Sequence, residues 1–149
     1  MSTTTEPTDA IRLAFVCVRN AGRSQMSAAI AERERDRRDL AGRVEIRSGG
    51  TDPADRVHET VREVMAADGY DCSDRVPREI SPEELRSCEY VLTMGCSTLD
   101  IEDADAVDVR DWALSDPHGR DPTEVRRIRD EIERKVNALF DEIERALEP

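Results

Sequence analysis

Short apolar runs alternate along the chain with longer segments in which apolar residues recur at helical spacing. The runs that predict strands are Ile11–Val16, the weaker Val44–Arg47, Tyr90–Met94 and a fourth candidate, Ala106–Val109. The helical segments run from Arg23 to about Arg38 (closed by Gly42), from Val57 to Gly69, from Ser81, and from Asp121. Strands that alternate with helices are joined by right-handed parallel crossovers. The sequence therefore predicts an α/β fold, a three-layer open sheet of about four parallel strands flanked by helices.

Two capping patterns locate helix starts, and one of them opens the longest helix. Ser81–Glu84 and Asp121–Glu124 each place an oxygen acceptor before a proline at the first helical position. After the second pattern, apolar side chains follow one face: Val125, Ile128, Ile132, Val136, Leu139 and Ile143. At 149 residues the chain has the length of one domain. We expect residues 10–149 to form it, after a disordered segment at residues 1–9.

The composition of the chain argues against several classes of binding partner. The chain carries 34 acidic and 22 basic side chains, a net charge of -12 at pH 7, which argues against nucleic-acid binding through the general surface field. The polar first nine residues do not resemble a secretory signal, and no run of about 18 apolar residues indicates a membrane span. Lys135 is the single lysine, and aromatic residues make up 3% of the chain. We expect a cytoplasmic protein with no nucleic-acid or membrane partner, adapted to a salt-rich, halophilic cytoplasm and dependent on salt for stability.

Four cysteines are the candidate reactive groups. Cys17, Cys72, Cys88 and Cys96 show no CxxC spacing, and the chain has only two histidines, His58 and His118. A structural zinc site is therefore not expected, nor is any other bound metal or cofactor. In a reducing cytoplasm the cysteines should be thiols.

Cys17 begins a C-x5-R segment that ends in Arg23 and Ser24. Its loop follows an apolar strand and passes through Gly22 into a helix, so backbone N–H groups from Val18 to Ser24 can converge on an anion; the loop residues are Val18, Arg19, Asn20, Ala21, Gly22, Arg23 and Ser24. A second match, from Cys72 to Arg78, follows a polar stretch and contains Pro77, which lacks a donor. The context favours Cys17 as the residue that begins an oxyanion-binding loop.

An environment that binds an anion also stabilises a thiolate, because a helix N-terminus and a guanidinium both favour the charged sulfur. We therefore expect Cys17 to be a thiolate nucleophile. Arg23 supplies a planar, permanently charged fork suited to two oxygens of phosphate or arsenate. The alternative is that Cys17 is a small buried side chain and Arg23 a solvated helix residue.

The segment Phe15–Met26 resembles the signature loop of the low-molecular-weight protein tyrosine phosphatase superfamily, and more closely its thioredoxin-coupled arsenate reductase branch. The resemblance extends from Ile11 to about Leu147 and includes Gln25-Met26, Thr93–Cys96, Asp111–Pro117 and Val125–Ile132. It implies the low-molecular-weight phosphatase fold and makes Asp116 a general acid, since an oxygen leaves phosphorus or arsenic more readily when protonated. It also implies that Asn20 and Ser24 brace the loop and hydrogen-bond the thiolate. His118 either touches the substrate or is an exposed loop residue.

The resemblance further implies that Cys96 is the second thiol of an arsenate reductase, which would attack the Cys17–arsenate adduct and release arsenite. The third cysteine usual in thioredoxin-coupled reductases is absent from Ser97–Asp105. Either Cys72 or Cys88 substitutes, or an external donor (thioredoxin, glutaredoxin or a small thiol) attacks directly; alternatively, Cys96 is an inert core residue.

The main alternative is a protein tyrosine phosphatase that hydrolyses phosphotyrosine through a phosphocysteine intermediate. It would need only Cys17, Arg23 and Asp116. Phosphatases of this superfamily usually place aromatic residues beside the Asp-Pro pair, and Asp116–Gly119 contains none. A non-catalytic oxyanion sensor is a third hypothesis. The sequence favours the reductase.

Overall fold

A computed structural model describes residues 10–72, 74–94, 107–117 and 119–147. Its elements, in chain order, are β1 (Ile11–Cys17), α1 (Arg23–Arg37), β2 (Val44–Gly50), α2 (Glu59–Ala67), α3 (Pro82–Arg86), β3 (Tyr90–Thr93), β4 (Asp108–Asp111) and α4 (Pro122–Leu147). The four strands form one sheet in the order β2-β1-β3-β4, and all neighbouring strands are parallel. The predicted open parallel sheet is confirmed. The predicted disordered segment, residues 1–9, lies outside the described residues.

Strand β1 lies inside the sheet, and its alternating side chains enter two separate cores. Leu13, Phe15 and Cys17 belong to the larger core, which contains the buried faces of α1, α2 and α4. Ala14 and Val16 belong to a smaller core on the opposite face, which contains Ile80, Leu85, Cys88 and Val91. Because side chains of a strand alternate between faces, this division makes three layers with the sheet in the middle.

The long predicted helix is present, and its apolar stripe is buried against α1 and α2. The buried residues of α4 are the six that the sequence predicted together with Phe140: Val125, Ile128, Ile132, Val136, Leu139, Phe140 and Ile143. Both predicted N-caps are formed, since Glu84 N–H donates to Ser81 Oγ at 3.1 Å and Glu124 N–H donates to Asp121 Oδ1 at 3.0 Å. No helix within the described ranges has the length and apolarity that crossing a membrane requires.

The ends of the elements differ from the sequence prediction in several places. Strand β2 continues through Ser48 and Gly49 to Gly50, three residues past the predicted end at Arg47. Helix α1 ends before Gly42, and the left-handed residue that follows it is Asp39, with φ of 60°; a short polar side chain tolerates this conformation. Strand β4 is Asp108–Asp111 rather than Ala106–Val109. It is an exposed edge strand in which Arg110 pairs with Asp108, so apolar content was a poor guide to its position.

Candidate active site

Cys17 is the last residue of β1, and its side chain is only 4% exposed. It pairs with Gly50 at the end of β2. A Cβ atom on Gly50 would collide with the backbone oxygen of Val18, so glycine is required for the two chains to lie this close. The start of the loop is therefore held against the sheet at the carboxyl ends of its strands, where open α/β sheets bind ligands.

Two hydrogen-bond contacts converge on the sulfur of Cys17. The backbone N–H of Asn20 donates to Cys17 Sγ at 3.2 Å, and Ser24 Oγ lies 2.9 Å from the same atom. Asn20 has a φ of 52°, the left-handed conformation that asparagine adopts more readily than most residues. The sulfur thus lies at the N-terminal end of α1, which begins at Arg23, with a backbone N–H and a hydroxyl group within hydrogen-bond reach.

The guanidinium of Arg23 joins three segments around the site. Its Nη1 donates to the carbonyl oxygens of Met94, at 2.7 Å, and Leu114, at 3.0 Å. Its Nη2 lies 3.9 Å from Asp116 Oδ2. The Arg23 side chain is 13% exposed, whereas that of Asp116 is 60% exposed. Arg23 thus connects the loop to the segments that contain these residues, and it also borders the cavity above Cys17.

A cavity of about 560 Å³ opens above Cys17. Its described lining includes two arginines, one histidine and one carboxylate, with no Phe, Tyr or Trp: Cys17, Val18, Arg19, Ala21, Gly22, Arg23, Ala54, His58 and Asp116. Arg19 is held at the rim by Asp52, through Nη1–Oδ2 at 2.9 Å. In the described part of the chain, no three His, Cys, Asp or Glu side chains are grouped so that they could hold a metal ion. The cavity is suited to an oxyanion.

The structure brings together Cys17, Arg23 and Asp116, as the sequence predicted, and Asn20 and Ser24 are fully buried at the loop rather than in the cavity wall. Cys96 and His118 lie outside the described residues. Strand β3, which precedes Cys96 in the chain, does pair with β1 as expected.

The other two cysteines are not in the lining of this cavity. Cys72 is 2% exposed in the larger core, and burial raises the pKa of its thiol. Cys88 is 3% exposed in the core on the opposite face of the sheet from the Cys17 side chain, and burial likewise raises its pKa. Both are thiols with little tendency to ionise.

Sequence reasoning missed His58, Ala54 and Gln25. His58 and Ala54 line the cavity because residues 52, 54 and 58 are tied to the loop, where their backbone N–H groups donate to the carbonyl oxygens of residues 18, 19 and 21. Nothing in the local sequence predicted those long-range bonds. Gln25 had a usable signal, since it is a polar residue beside the buried Met26 at the start of α1 and is itself 2% exposed.

The fold and the site define a class: α/β proteins with a C-x5-R oxyanion loop at the carboxyl edge of a parallel sheet. The sequence profile of the low molecular weight phosphotyrosine protein phosphatase family matches residues 12–148. The chain belongs to this family of enzymes.

Similar proteins within the class include arsenate reductases. The chain is 63% identical, over 131 residues, to a Halobacterium salinarum protein named "Putative arsenate reductase", covering 88% of this chain and 92% of that protein. It is 29% identical over 134 residues to the "Glutaredoxin arsenate reductase" of Synechocystis, covering 89% and 98%. The structure of a thioredoxin-dependent arsenate reductase from Corynebacterium glutamicum superposes with a TM-score of 0.74 at 28% identity, covering 95% of this chain and 65% of that one. This chain thus spans about two thirds of the Corynebacterium chain.

Proposed function

We propose that this protein is an arsenate reductase in which the Cys17 thiolate attacks arsenate and an external thiol supplies the reducing electrons. The observation that carries the proposal is the hydrogen-bonded Cys17 sulfur beneath a cavity bordered by Arg23 and Asp116. The names of the relatives support arsenate as the substrate, and two of those names point to thioredoxin or glutaredoxin as the donor.

In the first step, the Cys17 sulfur forms a bond to arsenic and one arsenic–oxygen bond breaks. The departing oxygen leaves as water when it has gained protons, and Asp116 is the proposed general acid because its carboxyl group borders the cavity. Arg23 offsets the negative charge of the remaining oxygens. No electrons have been transferred to arsenic at this stage, and the product is an arsenic(V) adduct on Cys17.

In the second step, a second thiolate attacks the Cys17 sulfur. A disulfide forms, the sulfur–arsenic bond breaks, and its electron pair stays on arsenic, which leaves as arsenite. Cys96 is the proposed second thiol: it follows Met94 by two residues in the sequence, and the Met94 carbonyl accepts a hydrogen bond from Arg23. A thiol of the external donor then attacks this disulfide to give a mixed disulfide, and a second donor thiol displaces the protein sulfur, so that the donor leaves as a disulfide and both cysteines are restored.

Cys72 and Cys88 are weaker candidates for the second thiol. Attack requires a thiolate, and burial raises the pKa of both thiols. Cys88 also lies on the other face of the sheet from Cys17. If Cys96 is not the second thiol, direct attack by thioredoxin, glutaredoxin or a small thiol is the better alternative.

A phosphatase is the second candidate, and family membership favours it. Water would then hydrolyse a phosphocysteine formed on Cys17, and no second thiol would be needed. The cavity lining argues against an aryl substrate, because Arg19 and His58 line it and, among the described lining residues, no Phe, Tyr or Trp is present to stack on a tyrosine ring.

The deciding experiment measures arsenate-dependent oxidation of thioredoxin, glutaredoxin and a small thiol alongside hydrolysis of an aryl phosphate, in high-salt buffer. We expect the wild type to reduce arsenate, Cys17→Ser to lose all activity, and Cys96→Ser to lose arsenate reduction. Mass spectrometry after one turnover should find Cys17 joined to Cys96.

Cys88→Ser is the matched control, since it removes a buried thiol on the opposite face of the sheet and should reduce arsenate normally. Arsenate reduction by Cys96→Ser at the wild-type rate would assign resolution to the external thiol. A wild type that cleaves phosphotyrosine but reduces no arsenate with any donor would refute the reductase and leave the phosphatase.

A further inference from the structure

Gln25 is buried directly beside the oxyanion loop, and none of the chemistry above uses it. It follows Ser24 in the first turn of α1 and is 2% exposed. Its Nε2 donates to Asn20 Oδ1 at 3.0 Å. Burying a side-chain amide costs folding free energy unless its polar atoms are hydrogen-bonded, and the contacts of Gln25 show how its atoms are paired.

The orientation of the Asn20 amide is fixed by a group that can only donate. The backbone N–H of Arg78 donates to Asn20 Oδ1 at 3.0 Å, which identifies this atom as the oxygen. The Asn20 nitrogen therefore faces Ser24, where Nδ2 donates to Oγ at 2.7 Å. Two donors, from Arg78 and Gln25, hold the amide in this orientation.

Arg75 fixes the orientation of Gln25 in the same way. A guanidinium has no acceptor, and Arg75 Nη1 lies 3.5 Å from Gln25 Oε1. The oxygen of Gln25 thus faces Arg75, and its nitrogen faces Asn20. Arg75 is held in turn by Glu32 of α1, through Nη2–Oε1 at 2.5 Å.

The consequence reaches Cys17 through Ser24. Ser24 Oγ accepts from Asn20 Nδ2 and lies 2.9 Å from Cys17 Sγ; because a thiolate can only accept, the Ser24 hydrogen points at the sulfur when Cys17 is ionised. We infer that Gln25, oriented by Arg75, is a positioning residue that makes Ser24 a donor to the Cys17 thiolate. The inference rests on the proposed function only in taking Cys17 as the nucleophile, and it applies equally to a reductase and a phosphatase.

The test is a double-mutant cycle on the rate at which iodoacetamide alkylates Cys17, measured at one pH below the midpoint of the wild-type rate–pH profile, where the rate follows the fraction of thiolate, and followed by mass spectrometry of the Cys17 peptide. Ser24→Ala should slow alkylation about tenfold, because it removes a hydrogen bond to a charged group. Gln25→Met, which keeps an unbranched side chain but has no donor, should slow it about threefold. Combined with Ser24→Ala, Gln25→Met should add nothing, since it acts through Ser24.

The control is Ile30→Val, a buried change in the same helix that makes none of these hydrogen bonds and should alkylate at the wild-type rate. The inference is overturned if Gln25→Met alkylates at the wild-type rate, or if the double variant is slowed about thirtyfold, as for independent effects. Should Gln25→Met fail to fold, Gln25→Leu serves in its place, since this uncharged side chain also cannot donate to Asn20. Its slowing should likewise vanish in the Ser24→Ala background, and persistence there overturns the inference. The assay needs no arsenate, so its outcome is separate from that of the reductase proposal.

Discussion

Replacing Gly22 by alanine should slow catalysis by displacing Asp116. Gly22 lies where the oxyanion loop meets the segment that carries the proposed acid. A Cβ atom at this position would lie 2.7 Å from Pro117 Cγ and 3.3 Å from His58 Cδ2. The proline ring is rigid and directly follows Asp116, so the added methyl group cannot be accommodated by a rotamer change.

The size of the effect follows from that distance. Carbon atoms in ordinary contact are about 3.5–4.0 Å apart, so the proline must move by about 1 Å. Misplacement of a catalytic group by about 1 Å can cost roughly a hundredfold in rate. Alanine retains the backbone N–H at position 22, so inhibition by inorganic phosphate should change much less than the rate.

The assay compares arsenate reduction at saturating arsenate with phosphate inhibition, in the wild type, Gly22→Ala, Asp116→Asn and the double variant. If Gly22→Ala acts through Asp116, it should have little effect once Asp116 is replaced. Gly42→Ala is the matched control, because a Cβ at Gly42 meets nothing within 4 Å. An unchanged rate in Gly22→Ala would refute the reasoning. So would an equal loss of phosphate binding, which would place the damage in the loop itself.

Three further predictions concern the site and the fold. Arg23→Lys should fold but bind phosphate at least tenfold more weakly by calorimetry, since an ammonium cannot replace the two-pronged guanidinium; unchanged affinity would move the anion site elsewhere. Phosphate and arsenate should protect Cys17 from alkylation at concentrations near their binding constants. Absence of protection would show that the loop does not bind the oxyanion. The hydrogen bond from Arg78 lowers the pKa of Glu84 below its ordinary 4.5, so this stabilisation is present above that pH and is lost as the pH falls through the folded-state pKa. Urea denaturation should therefore show a smaller loss of stability on acidification in Arg78→Gln than in the wild type, and equal losses would contradict the assignment.

The order and type of the elements could be predicted because each has a local cause. The apolar run of β1, the capping oxygens of Ser81 and Asp121, and the apolar stripe of α4 all act within a few residues. Strand β4 was placed less well, since an edge strand does not need apolar side chains.

Within the site, the C-x5-R loop could be predicted, whereas its supports could not. Arg23 donates to the carbonyl oxygens of Met94 and Leu114, which are distant in the sequence. Because every residue has a backbone carbonyl, the residue types at these positions do not reveal the hydrogen bonds. The Glu32–Arg75–Gln25 contacts depend likewise on the packing of α1 against the segment that follows α2. Asp116 was predicted as a site residue only from the resemblance to a family, because an isolated Asp-Pro pair usually indicates a turn.

Cys17 lies at the end of an interior strand, and this position determines which of two reacting sulfur atoms must move to form a disulfide. Parallel neighbours on both sides hold β1, and the sulfur is anchored by Asn20 and Ser24. A disulfide requires its two Cβ atoms to come within about 4.5 Å of each other. A nucleophile held this firmly cannot contribute much of that approach. The second thiol must therefore move to Cys17. Turnover can then be limited by the approach of that thiol rather than by the reactivity of Cys17.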